Sequence, residues 1–187
     1  MPLSTGDVSS DQGAFPAPRA TRIADRGDIE VVGAHEEFDA NYESLMTQFV
    51  ASEWPDDNRK SQNSARRLLG QPIARNLLTI IWKETLVTED ELGRTGMKKR
   101  FSANETINCH KLAILLSSEP CDVTSNCTLF RRIIEFANKL DLVARTQCKG
   151  RQLALTGTST LDALMRELAK KNRKALEALG RGGCGDA

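Results

Sequence analysis

Apolar residues recur at helical spacing through the N-terminal half of the chain, from residue 36 onward. In the first run they stand three or four residues apart on one helical face: Phe38, Tyr42, Leu45, Met46 and Phe49. This helix is expected to end before Pro55, because a residue that precedes proline disfavours helical geometry. Residues 61–86 are apolar over a wide arc, and Gly70 and Pro72 predict a bend or a division into two helices. Such an arc indicates either an ordinary central helix or a core that continues into a subunit interface.

The second half of the chain has the pattern of two helices separated by a turn. Residues 105–116 predict a helix of about three turns, with Ser102 or Asn104 as its expected N-cap. The connector at 117–124 contains a proline, which breaks the first helix. Residues 126–140 predict the second helix, whose apolar stripe comprises Leu129, Ile133, Phe136, Ala137 and Leu140.

Two short strand-like runs follow the second helix. Residues 142–147 and 152–156 predict the strands of a β-hairpin, and Gly150 between them is free to adopt positive φ. Residues 159–179 then predict an amphipathic terminal helix. The sequence therefore predicts a mainly α fold with a small β-hairpin.

Composition sets the limits of the folded domain. Residues 1–34 are rich in Gly, Pro, Ser and Asp, and we expect a flexible arm there; residues 180–187 are expected to be a disordered tail. One domain is left, at 35–179. No apolar run approaches the ~18 residues of a membrane span, and the N-terminus lacks the features of a signal peptide. A cytoplasmic location is the resulting expectation.

Charge is distributed unevenly along the chain. Residues 1–93 carry 9 Lys and Arg against 16 Asp and Glu, a net charge of −7, whereas residues 94–187 carry 17 against 9, a net charge of +8. The basic half includes Lys98, Lys99 and Arg100 immediately before the two-helix segment, where we expect phosphate contacts. A basic half points to a polyanionic partner, although a merely solvated surface produces the same asymmetry.

Polar and cationic residues share one side of the second predicted helix. Ser125 or Asn126 is its expected N-cap, and Thr128, Arg131 and Arg132 lie on the polar side. A helix in the major groove needs donors and acceptors near its N-terminus and guanidinium groups for phosphate or guanine. We therefore expect this face to bind double-stranded DNA, with Asn126, Thr128 and Arg132 at base edges.

The predicted hairpin adds three further cations. Arg145 lies on the first strand, and Lys149 and Arg151 lie at the tip, where we expect contacts in or along the minor groove. A helix-turn-helix followed by a basic hairpin, or wing, is typical of winged helix-turn-helix DNA-binding modules. The alternative is a winged helix used as a protein–protein interaction module in a larger assembly, which predicts that the exposed face of the helix at 126–140 is not basic.

Three segments extend this pattern into a family resemblance. They are the helix exit Phe136-Ala-Asn-Lys-Leu-Asp-Leu-Val143, the wing up to Arg151, and the strand Leu153-Ala-Leu-Thr-Gly157 that leads into the last helix. Through them, residues 105–156 resemble the winged helix-turn-helix of the MarR family of bacterial transcription regulators.

The MarR resemblance implies the rest of the expected organisation. It implies a homodimeric transcriptional regulator whose DNA-binding module occupies about 88–156. Helices within 36–86 and 159–179 would then form the core and the dimer contacts. A small-molecule effector is also implied, at the apolar junction between the long helix near Trp82 and the winged module.

Signatures of catalysis and of metal binding are weak. His35 and His110 are the two histidines, and neither belongs to a recognisable nucleophile–base–acid set. The sequence has neither a Gly-rich phosphate loop nor an HExxH motif, so we expect no enzyme and no cofactor. Cys109, Cys121 and Cys127 together with His110 offer zinc-type ligands, but their spacing fits a metal site poorly, and none is expected.

Five scattered cysteines, an odd number without a CxxC pair, predict free thiols. Cys127 is expected in the first turn of the second helix and Cys148 at the cationic hairpin tip, and both environments lower the pKa of a thiol. Either cysteine is therefore a candidate redox-sensitive residue whose oxidation would change DNA contact. The alternative interpretation is that cysteine is a tolerated small residue at both positions.

Overall fold

A computed structural model of the protein describes residues 39–55, 57–95, 98–101, 105–147 and 153–182. The described residues form seven helices and one two-stranded sheet: α1 Asp39–Glu53, α2 Arg59–Leu69, α3 Pro72–Thr85, α4 Glu89–Thr95, α5 Cys109–Leu116, α6 Asp122–Lys139, β1 Val143–Gln147, β2 Leu153–Gly157 and α7 Ser159–Gly182. The mainly α architecture with a small hairpin is confirmed. The predicted arm at 1–34 lies outside the described residues.

The wide apolar run at 61–86 is divided into two helices. α2 ends at Leu69, and Gly70 and Gln71 separate it from α3, whose first residue is Pro72. Proline is suited to this first helical position because its missing N–H would have no partner there. α3 is buried around most of its circumference and contacts α2, α6, α7 and β2, so it is an ordinary central helix of this chain.

Helix α4 begins with a capping box. The Thr88 backbone N–H donates to the Glu91 carboxylate at 2.9 Å, and the Glu91 N–H donates to Thr88 Oγ1 at 3.2 Å. These reciprocal bonds satisfy backbone donors that a helix start leaves free. Glu91 also accepts a hydrogen bond from Arg166 of α7 at 3.2 Å, so the same carboxylate joins α4 to α7.

The boundaries predicted for the two-helix segment were wrong at both helix starts. α5 begins at Cys109 rather than at 105, and Asn108 caps it by accepting from the Lys111 N–H at 2.9 Å. The predicted caps Ser102 and Asn104 lie outside the described residues. Residues before α5 are extended because the Ile107 carbonyl accepts from the Leu155 N–H of β2 at 2.9 Å, which takes this segment into the edge of the hairpin.

Helix α6 begins at Asp122, so neither Ser125 nor Asn126 caps it. Its other end is fixed by hydrogen bonds from the Asp141 N–H to the Asn138 carbonyl at 3.1 Å and from the Leu142 N–H to the Ala137 carbonyl at 2.8 Å. With Asp141 at φ 55°, these bonds form a Schellman motif, which ends helices and reverses the chain. The chain therefore enters the hairpin directly from α6.

The predicted hairpin is confirmed. β1 and β2 are antiparallel and pair Val143 with Gly157 through Gln147 with Leu153. The sheet is pressed against α3, since the Gly157 N–H donates to Thr85 Oγ1 at 2.9 Å. A Cβ at Gly157 would lie 2.6 Å from Leu86 Cδ1, so a larger residue here would require the Leu86 side chain to move.

Helix α7 continues to Gly182, so the prediction that a disordered tail begins at residue 180 was wrong. The apolar faces of α1 and α7 are buried within this chain: Tyr42, Leu45, Met46 and Val50, and Leu161, Leu164, Met165 and Leu168. Among the described side chains, Ile114 is the one large hydrophobic residue that is strongly exposed, at 55%. Within the part of the chain that the structure covers, the helices are too short or too polar to span a bilayer.

Candidate nucleic-acid interface

The outward face of α6 carries four of the predicted DNA-contacting side chains. Ser125, Thr128, Arg131 and Arg132 are all exposed, and the opposite side of the helix is buried against α5 and α3. Thr128 Oγ1 donates to the Thr124 carbonyl at 3.2 Å, which leaves its lone pairs open to an incoming donor. A continuous helical face that joins hydroxyl and guanidinium groups is therefore open to solvent.

Asn126 differs from its predicted role. It is half-buried, and its Nδ2 donates to Ser117 Oγ at 3.1 Å, while Ser117 Oγ donates to the Ala113 carbonyl at 2.6 Å. These bonds fasten the start of α6 to the end of α5. Asn126 thus holds the angle between the two helices, and we leave it out of the proposed interface.

A first groove, which we name the wing groove, lies between α6 and the hairpin and has a cavity volume of about 440 Å³. Arg131 of α6 and Arg145 of β1 both line it, together with His110 and Glu135. Both guanidinium groups are exposed, and no ion pair within the described part of the chain engages either one. The fold therefore brings together two cations that are fourteen positions apart in the sequence.

A second groove, the α2 groove, lies on the other side of α6 and also has a volume of about 440 Å³. Lys60, Ser64 and Arg67 of α2 face Arg132 and Phe136 of α6 across it. Sequence reasoning missed the α2 residues because they belong to the acidic half of the chain. A local signal was present, since α2 contains four cations and no carboxylate in eleven residues.

The basic patch at 98–100 contacts carboxylates of α3 and α4. The backbone N–H of Arg100 donates to both Glu84 carboxylate oxygens of α3, at 2.9 and 2.8 Å, and Lys99 Nζ lies 3.8 Å from Glu89 Oε1 of α4. The Lys98 and Arg100 side chains are exposed, but none of the three lines either groove. Phosphate contact by this patch stays a prediction.

Two of the predicted wing cations, Lys149 and Arg151, lie outside the described residues, as does the candidate redox residue Cys148. Cys127 is the sixth residue of α6 and is half-buried, so its predicted place in the first helical turn was wrong. The argument that a helix N-terminus activates its thiol no longer applies to it. Redox sensitivity of Cys127 has lost that support.

Cys109, Cys121 and Cys127 are free thiols. Burial is the main cause that raises the pKa of Cys109, and the neighbouring Cys127 acts in the same direction. Arg131 and Arg145 oppose this shift, which places Cys109 within the electrostatic reach of both wing-groove cations. Among the described residues, no group of three His, Cys, Asp or Glu side chains is arranged to hold a metal ion.

The expected effector position near Trp82 does not coincide with either groove. Trp82 is buried, its Nε1 donates to Asp162 Oδ1 at 2.7 Å, and it lines neither the wing groove nor the α2 groove. Effector binding there stays a prediction. The same is true of the MarR resemblance, because comparison with protein-family models, curated proteins and solved structures gave no match to this chain.

Proposed function

We propose that this protein is a sequence-specific, double-stranded-DNA-binding transcriptional regulator of the winged helix-turn-helix type. The observation that carries the proposal is the exposed face of α6, with Ser125, Thr128 and Arg131, beside Arg145 of the hairpin. In this arrangement α6 is the recognition helix and the hairpin at 142–156 is the wing.

The dimensions of α6 suit the major groove. An α-helix with its side chains is about 10–12 Å across, and the major groove of B-DNA is about 12 Å wide. The Ser125 hydroxyl can donate to or accept from base edges and the Thr128 hydroxyl can accept, whereas Arg131 and Arg145 can neutralise phosphates. Sequence preference therefore comes from Ser125 and Thr128, and the wing supplies affinity along the minor groove.

The charge of this face favours DNA over the protein-interaction alternative. Arg131, Arg132 and Lys139 are exposed on α6 against a single exposed carboxylate, Glu135. A helix that docks a neutral or basic protein surface would not require this excess. The protein-interaction alternative predicts an exposed helix face that is not basic, whereas the exposed face of α6 is basic.

We further propose that the protein acts as a homodimer. Apart from Lys139, which lies over the Trp54 ring, the described cations around α6 and the wing of one subunit are Arg131, Arg132 and Arg145, which are few for a stable complex at physiological salt. Two recognition helices one DNA turn apart, about 34 Å, would double the number of contacts and read a palindrome. With roughly six phosphates neutralised per dimer, log Kd should depend on log salt with a slope of about 5.

The test starts with selection of binding sites from a random pool of DNA duplexes, followed by titration of the selected duplex at several salt concentrations. The variant R131Q/R145Q removes two wing-groove cations. The matched control K170Q/K174Q removes two exposed charges from α7, which packs on α1 and α3. We expect loss of affinity and a shallower salt dependence for R131Q/R145Q alone.

Two results would refute the proposed function. One is the absence of any enriched sequence after selection together with no measurable affinity for random duplex at low salt. The other is an equal effect of R131Q/R145Q and K170Q/K174Q on binding, since this would show that net charge rather than the α6 face determines it. An enriched palindrome would support dimeric binding as well.

A further inference from the structure

The α2 groove is a second cationic surface, formed by α2 and by the side of α6 that lies away from the hairpin. Lys60 and Arg67 lie one above the other on the exposed side of α2 and line the groove with Arg132. The remaining polar lining comes from uncharged side chains, among them Ser64 and Asn58. Among the described residues, no carboxylate lines this groove, in contrast to the wing groove, where Glu135 is present.

These cations are available to a partner. No ion pair within the described residues engages Lys60, Arg67 or Arg132, although Arg75, Lys99, Lys111 and Arg166 elsewhere in the fold are each paired with a carboxylate. Keeping three cations together without a counter-charge costs electrostatic repulsion, which a polyanion in the groove would relieve.

The position of the groove relative to α6 identifies the polyanion. Arg131 and Arg132 are consecutive residues, about 100° apart around the helix, and they line different grooves that flank its outward face: Arg131 the wing groove and Arg132 the α2 groove. A helix seated in the major groove has a phosphate backbone on each side of it. With α6 seated in this way, the wing groove would face one of these two backbones and the α2 groove the other.

We propose that α2 is a second DNA-contacting element, in which Lys60 and Arg67 bind phosphates of the backbone on the side of α6 away from the wing. This inference rests on the proposed function and adds phosphate contacts from Lys60 and Arg67 to it, which we call the α2 clamp. α6 would then be held in the major groove from both sides, by Arg145 on one strand and by α2 on the other. Contacts of this kind fix the register of the protein on DNA without reading sequence.

The variant K60Q/R67Q tests the clamp, again with K170Q/K174Q as the control of equal charge change. Loss of two phosphate contacts should make the slope of log Kd against log salt shallower by about 1.8 for each bound subunit. If both proteins bind equally at 1 M salt, binding of the variant at about 0.1 M is roughly 60-fold weaker for each bound subunit. Preference for the selected sequence over random DNA should be unchanged, because α2 contacts no bases.

A phosphate scan locates the contacts. Single uncharged methylphosphonates are placed along both strands of the selected duplex, and affinities are measured for the wild type, K60Q/R67Q and R145Q. We expect one set of phosphates to lose its effect in K60Q/R67Q and a different set, across the major groove, to lose its effect in R145Q. Overlap of the two sets would overturn the proposal that α2 and the wing hold opposite strands.

The outcomes separate this inference from the proposed function. If the wild type binds its selected duplex and K60Q/R67Q matches K170Q/K174Q in affinity and salt slope, the α2 clamp is wrong while the DNA-binding function stands. If the wild type binds no duplex, both fail. If polyglutamate binds the wild type but not K60Q/R67Q, and does so without displacing the selected duplex, the α2 groove takes an acidic protein surface instead and the clamp is refuted.

Discussion

Glu84 ties the basic segment at 98–101 to the centre of the fold, and its removal gives a sharp test of how that segment is held. The side chain belongs to α3 and is only 7% exposed. Its two oxygens accept from the Arg100 N–H at 2.9 and 2.8 Å, and one of them also accepts from the Phe101 N–H at 3.1 Å. The perturbation consists of two variants, E84A and E84Q.

The expected decrease in the free energy of unfolding depends on which backbone N–H groups each variant leaves without an acceptor. In E84A two backbone N–H groups lose their acceptor, and each costs about 1–3 kcal/mol if it finds no other. Since these bonds are only partly buried, water can reach them, and the free energy of unfolding should fall by about 2–4 kcal/mol in total. E84Q keeps one acceptor oxygen but loses the negative charge and points an amide donor at the segment, so a decrease of about 1–2 kcal/mol is expected.

Urea unfolding at neutral pH, followed by tryptophan fluorescence, measures these decreases. The matched control is E89Q, because Glu89 approaches the same segment through Lys99 at 3.8 Å but is 74% exposed. Exposed ion pairs contribute little, and the control should change by about 0.5 kcal/mol or less. Equal stabilities of E84Q and E89Q would refute the reasoning, because they would show that burial and backbone hydrogen bonding add nothing to this carboxylate.

Two further predictions concern pH and thiol reactivity. The hydrogen bond from the Thr88 N–H is the main cause that lowers the pKa of Glu91, so its carboxylate stabilises the fold above the ordinary pKa of glutamate, and that stabilisation is lost as the pH falls through the lowered value. E91Q should therefore be less stable than the wild type at pH 7 and equal to it in acid, as urea midpoints would show; a gap that persists in acid would contradict this. Burial raises the pKa of the Cys109 thiol while Cys121 is exposed, so iodoacetamide should label Cys121 first at neutral pH, and peptide masses showing Cys109 labelled first would contradict it.

Local chemistry in the sequence determined the element types and two of the junctions. The exit from α6 through Leu140-Asp141-Leu142-Val143 into a hairpin was readable because a helix C-terminus and a tight turn are settled by residues close together in the chain. The division between α2 and α3 at Gly70 and Pro72 was readable for the same reason. Thr88 and Glu91 carried the signature of a capping box as well, although it was not used in the prediction.

Contacts that form only in the folded protein decided where α5 begins and which residues line the candidate interface. α5 begins at Cys109 rather than at 105 because the Ile107 carbonyl is taken by Leu155, a residue 48 positions later in the sequence. In the same way, Lys60 and Arg67 face α6 only because α2 packs beside it. Helix periodicity and capping act over a few residues, whereas these contacts join segments separated by tens of residues. Their free energy comes from burial and hydrogen bonds that exist only once the chain has folded, and no local pattern encodes them.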